Sequence, residues 1–223
     1  GKQDLTMANF QLIVFDWDGT VLDSTGMIAA SIQAAARDLG IVEPSDERAR
    51  HIIGLGLIDA LRYAMPGLPP ERYNDVAERY RYHYLARDHE LLLFPGIAEL
   101  IKELAEAGFQ LAVATGKSRN GLNRALEVSG LGQYFQNTRC ADECHSKPHP
   151  QMLEELIEAF NVSPATTLMI GDTTHDLQMA KNARSHGLGV TYGAHSRLLL
   201  EAEAPLYCAD DVSQLAAWLR VHG

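Results

Sequence analysis

An apolar segment that ends in two acids is the strongest constraint on the fold of this chain. Residues Leu12–Phe15 are apolar, and Asp16-Trp17-Asp18-Gly19-Thr20 follows at once. The short apolar run predicts a buried strand. Because ligands of open α/β sheets bind beyond the carboxyl ends of the strands, the Asp16 and Asp18 carboxylates are predicted to share a small site at a sheet edge. An acidic turn that caps the next helix is the alternative explanation.

Three later segments have the same form, a predicted strand followed by residues that can bind an anion or a cation. The strands are predicted at 109–114, 138–140 and 168–170. The residues that follow them are Thr115 and Gly116, then Lys147, then Asp172 and Asp176. Hydroxyl and ammonium groups bind phosphoryl oxygens, and carboxylates hold a metal ion. Together these groups predict a site for phosphoryl transfer.

A stretch with almost no strand character separates the first predicted strand from the second. It contains four predicted helices, at 25–39, 46–53, 57–65 and 70–89, with glycine and proline breaks between them. Ser24 is predicted to cap the first helix. We therefore expect a small all-helical domain over residues 22–88, called the cap below, and a core made of residues 1–21 and 89–223.

Outside the cap, predicted strands alternate with helices. Between 97 and 104, apolar residues recur at helical spacing, which places that helix against a sheet. The helix after Asp176 is predicted to run to about His186, and a fifth strand is predicted at 188–191. The pattern predicts an α/β fold with one helical insertion.

The four motifs resemble, in order and spacing, those of the haloacid dehalogenase superfamily. Over residues 10–192 the chain is similar to the phosphatase branch with a helical cap, and phosphoglycolate phosphatase-like proteins are the subgroup it resembles in general. The resemblance implies a Rossmann-like open parallel sheet, sandwiched by helices, with an inserted all-helical cap domain. Dehalogenases lack an acid two residues after the nucleophile, so Asp18 implies chemistry on phosphate esters.

The resemblance implies catalytic roles for Asp16, Asp18 and Lys147. Asp16 would attack phosphorus and form an aspartyl-phosphate. Asp18 would protonate the leaving oxygen and then accept a proton from the attacking water. Thr115, the amide of Gly116 and Lys147 would bind the phosphate, and Lys147 would also neutralise charge beside Asp16.

The resemblance also implies Mg²⁺ as the cofactor. Its ligands would be Asp16, Asp18 and Asp172, with Asp18 contributing its backbone carbonyl oxygen. Asp176 would orient a metal-bound water or Lys147 without ligating the metal itself. The alternative is that Asp176 only stabilises the dipole at the start of a helix.

Substrate contacts from the cap are expected at Gly54, Leu55 and Gly56, and at Arg62. Caps of the family dip a loop into the site, and the two glycines would permit close approach of backbone to ligand. The aromatic and basic face of the helix at 70–89 could also contact substrate. The alternative is that its tyrosines pack inward and its arginines are solvated.

Composition is that of an acidic protein, and the partner that the resemblance implies is a small phosphorylated metabolite. The net charge of −10 and the pI near 5.3 argue against nucleic acid and anionic membranes as partners. The sequence has no span-length apolar run and no signal-peptide pattern, which predicts a cytoplasmic protein. Cys140, Cys144, His145 and His149 are close in sequence, but their spacing is not that of a typical zinc site. A monomer is expected, with a homodimer as the alternative.

Three functions remain open at this point. The first is a Mg²⁺-dependent phosphatase that hydrolyses a small phosphorylated metabolite, phosphoglycolate-like or a sugar phosphate, through an aspartyl-phosphate. The second is a phosphomutase of the β-phosphoglucomutase type, which returns the phosphoryl group to a sugar. The third is a catalytically inactive binding protein on the same fold. Release of inorganic phosphate from a generic aryl phosphate separates the first from the other two.

Overall fold

The protein is built around a six-stranded parallel sheet. The computed structural model describes residues 10–223, so the part of the predicted core that precedes residue 10 lies outside it. The strand order is β3-β2-β1-β4-β5-β6. In chain order the strands are β1 (Leu12–Phe15), β2 (Gln110–Thr115), β3 (Asn137–Cys140), β4 (Thr167–Gly171), β5 (His186–Val190) and β6 (Cys208–Ala209). The sheet and its helices confirm the predicted α/β fold.

Strand β1 is fully buried because both faces of the sheet are covered. Ile13 and Phe15 belong to one hydrophobic cluster, and Leu12 and Val14 belong to another. Alternate side chains of a strand point to opposite faces, so the two clusters are the two sides of the sheet. A strand buried on both sides reads as a continuous apolar run, which is the pattern of 12–15.

Six helices of the core complete the two layers. They are α5 (Ile97–Glu106), α6 (Arg119–Ser129), α7 (Gln151–Phe160), α8 (Thr174–Asn182), α9 (Arg197–Glu201) and α10 (Val212–His222). Side chains of α5, α6 and α10 pack in the cluster of Phe15, and those of α7 and α8 pack in the cluster of Val14. Within residues 10–223, no helix has the length and apolar character needed to cross a membrane.

The helical insertion has its own hydrophobic cluster. Its helices are α1 (Thr25–Asp38), α2 (Asp46–His51), α3 (Leu57–Ala64) and α4 (Tyr73–Arg87), and they pack around residues such as Ile32, Leu61 and Val76. The two chain segments that lead into and out of the insertion pair with each other. The amide of Asp23 donates to Leu92 O at 2.9 Å, and that of Phe94 donates to Val21 O at 3.0 Å. We retain 22–88 as the proposed limits of the cap.

The helix predicted to reach His186 ends earlier. Helix α8 stops at Asn182, and His186 is the first residue of β5. Arg184 adopts a positive φ of 60°, and the amide of Ser185 turns back to Ala180 O at 2.8 Å, which closes the helix. Gly187, predicted to lie beyond the helix end, is a strand residue. A Cβ there would lie 3.0 Å from Leu177 of α8, so glycine lets the helix pack closely on the strand.

Candidate active site

The sheet brings the residues of all four motifs to one edge. The strand order places β3, β2, β1 and β4 side by side. Asp16 follows β1, Thr115 ends β2, Lys147 follows β3, and Asp172 follows β4. These four residues are buried, although three of them carry ionisable groups. Burial of charge at that density is unfavourable unless the groups compensate one another.

Asp16 has one satisfied carboxylate oxygen and one without a partner. Its Oδ1 accepts a hydrogen bond from the amide of Trp17 at 2.6 Å and lies 3.3 Å from Lys147 Nζ. Its Oδ2 is buried and has no hydrogen-bond partner. Burial and repulsion from Asp176 raise the pKa of Asp16 well above its usual value, and the charge of Lys147 only partly opposes this. The unpartnered oxygen is available to a ligand.

Lys147 and Asp176 form a buried ion pair behind Asp16. Lys147 Nζ donates to Asp176 Oδ1 at 2.7 Å, and Asp176 Oδ2 accepts from the Thr173 amide at 3.2 Å. Burial would lower the pKa of Lys147, but the Asp16 and Asp176 carboxylates raise it above its usual value. Burial would raise the pKa of Asp176, but Lys147 and further hydrogen bonds hold it below its usual value. The pair is therefore charged.

Asp172 is held by the turn that follows β1 and by a loop after β5. Its Oδ1 accepts from Thr20 Oγ1 at 3.0 Å, and its Oδ2 accepts from the Ala194 amide at 2.8 Å. Burial, followed by repulsion from Asp176, raises the pKa of Asp172 to about 7. Gly19 has a φ of 81°, and a Cβ there would overlap the Asp172 carboxylate, so the turn after Asp18 requires glycine.

The carboxylates of Asp16, Asp172 and Asp176 can hold a cation. One oxygen from each lies within 4.8 Å of the others. The Lys147 ammonium pairs with Asp16 and Asp176, so the three acids share one paired cation, and the buried Asp16 Oδ2 has no hydrogen-bond partner. An all-oxygen donor set with surplus negative charge fits a hard divalent cation such as Mg²⁺. Of the three predicted metal ligands, the Asp16 and Asp172 carboxylates belong to this cluster.

The Asp18 carboxylate lies apart from that cluster. Its Oδ1 accepts from Ser24 Oγ at 2.8 Å, and its Oδ2 lies 3.4 Å from Lys117 Nζ. Sequence reasoning missed both contacts. Ser24 was expected to cap α1, but its side chain makes no cap hydrogen bond and turns to Asp18 instead. Lys117 stands in the motif beside Thr115, and its Nζ also donates to the hydroxyl of Tyr84 in the cap at 3.3 Å.

Thr115 and Gly116 lie against the predicted cap loop. Thr115 Oγ1 accepts from the Lys117 amide at 3.1 Å, which orients the hydroxyl. A Cβ on Gly116 would lie 2.5 Å from the carbonyl oxygens of Gly54 and Leu55, so only glycine permits this approach. A Cβ on Gly54 would lie 3.6 Å from Asp16 Oδ2. The loop thus reaches the unpartnered oxygen.

Gly56 and Arg62, the other two expected cap contacts, lie in different surroundings. The amide of Gly56 donates to Ser146 Oγ at 3.0 Å, beside Lys147. The Arg62 side chain is 63% exposed and pairs with Asp59 at 3.3 Å. Arg62 does not line the cavity that contains Asp16, whereas Leu55 and Gly56 do.

A cavity of about 980 Å³ extends from Asp16 and Asp18 between the cap and the core. Tyr80, Arg81 and Tyr84 of α4 line it, so part of the aromatic and basic face of that helix faces this space. Another part of the face does not, because Arg79 and His83 bind Asp38 at the cap surface. One part of the helix is therefore placed to contact substrate, as the first interpretation expects, and another part is solvated, as the alternative expects.

Three histidines form a second cluster, with His175 and His195 buried and His51 half-buried, which the sequence pattern did not indicate. His175 Nε2 and His195 Nε2 lie 2.7 and 2.9 Å from the carbonyl oxygen of His51, at the end of α2. Because a carbonyl only accepts, both ring nitrogens donate. His195 Nδ1 accepts from the Thr174 amide at 3.0 Å, which fixes the neutral tautomer of that ring. Burial lowers the pKa of His175 and lowers that of His195 to about 4.

The local cysteine and histidine segment does not form a metal cluster. Among residues 10–223, the two groups close enough to hold a metal are the three histidines and the three aspartates described above. Cys140 is buried, and burial raises the pKa of its thiol to about 12. A thiol in that state is a poor metal ligand.

Comparisons with known proteins place this geometry in a family. Residues 13–190 match the model of the family described as haloacid dehalogenase-like hydrolase. The chain is 37% identical over 210 residues to "Probable phosphatase IndB" of Dickeya dadantii, covering 92% of this chain and 91% of that protein. It is 32% identical over 220 residues to "Phosphoglycolate phosphatase" of Vibrio vulnificus, covering 95% and 96% respectively.

A solved structure agrees with these matches. It is described as that of a predicted phosphoglycolate phosphatase from Haemophilus somnus, and it superimposes with a TM-score of 0.82 at 26% identity. The alignment covers 97% of this chain and 100% of that one. The resemblance drawn from the motifs is confirmed, and the chain belongs to the haloacid dehalogenase-like hydrolase family, among members that are named phosphatases.

Proposed function

We propose that this protein is a Mg²⁺-dependent phosphatase that hydrolyses the phosphate monoester of a small metabolite through an aspartyl-phosphate. The observation that carries the proposal is the buried, unpartnered Oδ2 of Asp16, a carboxylate that lies beside the Lys147 ammonium and forms an acid cluster with Asp172 and Asp176. A carboxylate held in this way can act as a nucleophile, because its other oxygen is already fixed by the Trp17 amide.

In the proposed reaction, a carboxylate oxygen of Asp16 attacks phosphorus in line. The bond between phosphorus and the ester oxygen breaks, and Asp18 gives its proton to the leaving alcohol. Asp18 then accepts a proton from water, which attacks the aspartyl-phosphate and releases inorganic phosphate. Ser24 and Lys117 hold the Asp18 carboxylate during both steps.

Phosphoryl charge is compensated by groups that already lie around Asp16. Lys147 binds a phosphoryl oxygen while Asp176 fixes its position, and Thr115 and the Gly116 amide bind another. Asp16 and Asp172, with the backbone carbonyl of Asp18, would hold Mg²⁺. When bound, the ion neutralises phosphoryl charge and orients the phosphate for attack.

The proposed substrates are small phosphorylated metabolites, with phosphoglycolate and sugar phosphates as the first to be measured. Relatives named phosphatase and phosphoglycolate phosphatase support this class. The cavity beside Asp18 provides room for the alcohol.

Measurement of inorganic phosphate release from 4-nitrophenyl phosphate and from phosphorylated metabolites tests the proposal. Asp16→Asn is expected to lower turnover by more than about 10³-fold, because the amide cannot be the nucleophile. Its melting temperature should not fall, since the change removes repulsion from Asp176. Asp75→Asn, on the exposed side of the cap, is the matched control. Activity in pure Asp16→Asn above a few per cent of wild type would refute the proposal. Transfer of phosphate between sugars without phosphate release would indicate the mutase.

A further inference from the structure

The cavity at the active site continues far beyond the space that a phosphate needs. It runs from Asp18 between α4 and α6 to three apolar side chains at the surface. These are Leu85, Leu92 and Val128, and they are 50%, 75% and 79% exposed. At about 980 Å³ the cavity is at the upper end of the range for sites that hold drug-sized ligands. Glycolate would fill a small part of it.

The walls of this cavity are mainly apolar. From the cap, Ile28, Ile32, Ile52 and Leu57 line it. From the core and the linkers, Ala125, Leu91 and Leu93 line it, in addition to the three exposed side chains. Apolar side chains at a surface that continues inward to a catalytic site are typical of a ligand groove.

The charged groups in the walls do not favour a second anion on the substrate. Lys117 is already paired with Asp18, and Arg124 is paired with Asp88 at 2.9 Å. Arg81 is exposed at the cavity wall. Asp142 adds negative charge to the lining, and Asp59, which also lines it, is paired with Arg62. An uncharged organic group therefore suits these walls better than a carboxylate or a second phosphate.

We propose that the preferred substrate is the phosphate monoester of an uncharged, mainly apolar alcohol that is much larger than glycolate. Its apolar part lies between α4 and α6 and reaches the surface strip formed by Leu85, Leu92 and Val128. The inference rests on the proposed function and specifies the organic half of the substrate.

A series of n-alkyl phosphates, from methyl to octyl and below their aggregation concentrations, tests this inference. Beyond the shortest esters the basicity of the leaving alcohol is almost constant, so a change in kcat/KM measures the contacts that the alkyl chain of the substrate makes with the protein. Each methylene buried in the transition state should raise kcat/KM about fourfold, which is on the order of 10² from ethyl to hexyl. Phosphoglycolate and glucose 6-phosphate should be poorer substrates than hexyl phosphate.

Val128→Glu and Val221→Glu form a matched pair for this series. Val128 and Val221 each precede the last residue of a helix, and they are 79% and 76% exposed. Only Val128 lines the cavity. Val128→Glu should reduce the increase in kcat/KM from methyl to hexyl phosphate at least tenfold. It should leave the rate of 4-nitrophenyl phosphate hydrolysis within about twofold of wild type. Val221→Glu should leave both unchanged.

A terminal carboxylate on the hexyl chain tests the charge argument. The carboxylated ester should be at least about tenfold poorer than hexyl phosphate, because the walls offer it no unpaired buried cation. Three results would each overturn the inference. They are a higher kcat/KM for the carboxylated ester than for hexyl phosphate, a kcat/KM that does not change with alkyl length, and equal changes in kcat/KM in the two valine variants. Absence of phosphate release from 4-nitrophenyl phosphate and every other ester would instead refute the proposed function.

Discussion

The aspartate cluster and the histidine cluster both bring potential metal ligands close together, yet only the aspartate cluster has charge that a cation would neutralise. In each cluster, ligand atoms from three residues lie within 4.8 Å of one another. In the aspartate cluster, Asp16 and Asp176 share the Lys147 ammonium, and the buried Oδ2 of Asp16 has no partner. His175 and His195 both donate to the carbonyl oxygen of His51. Proximity alone does not identify a metal site, because unsatisfied charge is what a cation relieves.

Ring geometry supports a structural role for the histidines. The rings of His51 and His195 stack with centroids 4.6 Å apart and planes 12° apart. Metal ions bind imidazole nitrogens in the plane of the ring, and stacked rings do not direct their nitrogens at one point. The histidines therefore connect α2 of the cap to the loop that carries Asp172. Since Gly54 follows His51 by three residues, this connection also positions the cap loop.

Metal removal is the test with the largest expected effect. Chelation of divalent cations should lower phosphatase activity about 10³-fold, because phosphoryl charge is no longer neutralised. Mg²⁺ should restore activity. Ca²⁺ should bind without supporting turnover, because its looser coordination misplaces Asp16 relative to phosphorus.

Thermal unfolding with and without Mg²⁺ shows which cluster holds the ion. Asp172→Asn should abolish the rise in melting temperature that Mg²⁺ produces, and His195→Gln should retain it. Loss of the rise in His195→Gln, with retention in Asp172→Asn, would reverse the comparison between the clusters.

Asp18→Asn should have the next largest effect, and it tests whether the Asp18 carboxylate acts separately from the aspartate cluster. Turnover of alkyl phosphates should fall by about 10²-fold, because the leaving alcohol is no longer protonated. With 4-nitrophenyl phosphate, a single burst of nitrophenolate, equal in amount to the enzyme, should precede slow turnover. The increase in melting temperature on Mg²⁺ addition should persist, because the Asp18 carboxylate binds Ser24 and Lys117. Loss of the Mg²⁺-dependent increase in melting temperature in Asp18→Asn would indicate that the Asp18 carboxylate is a metal ligand.

Substitution of His195 should have a moderate effect that depends on which ring nitrogen is replaced. Gln can place an N–H near the position of Nε2, and Asn can place an acceptor near that of Nδ1. His195→Ala should lower the free energy of unfolding by about 1–3 kcal/mol and raise KM about tenfold, with kcat less affected. The KM of His195→Gln should be closer to that of the wild type than the KM of His195→Asn, because the hydrogen bond to His51 joins the cap to the core. Equal KM values in the wild type and all three variants would exclude the positioning role.

The smallest effects are expected within the cap, where Leu55 and Arg62 provide a contrast. Leu55→Ala should change the ratio of metabolite to 4-nitrophenyl phosphate hydrolysis by about tenfold, because Leu55 lines the cavity. Arg62→Ala should change it by less than about twofold, because its side chain is exposed and paired with Asp59. Rates for both substrates in the same preparations check this, and a larger effect of Arg62→Ala would place the substrate on the outer face of α3.

Local pattern in the sequence indicated strands β1 to β5 and the positions of the acids, whereas the two-residue strand β6 was not predicted. A strand buried on both faces must be apolar throughout, so β1 was visible as four apolar residues before Asp16. Strands β2 and β4 were visible for the same reason, whereas the partly buried β3 (Asn137–Cys140) has no apolar run. The cap was visible because glycine and proline separate its helices. Helix α8 was extended too far because its end depends on Arg184 at positive φ, a conformation that sequence periodicity does not signal.

Contacts between distant segments were decided by the tertiary structure alone. Asp172 is held by an amide 22 residues away, Lys117 reaches Asp18 across 99 residues, and His195 reaches His51 across 144. Spacing and residue type specify which groups stand at a strand end. They do not specify which loop from another strand or from the cap will meet them. The residue types of the candidate site were therefore set by the sequence, whereas the pairing of Asp18, the histidine connection and the apolar cavity arise only when the cap packs on the sheet.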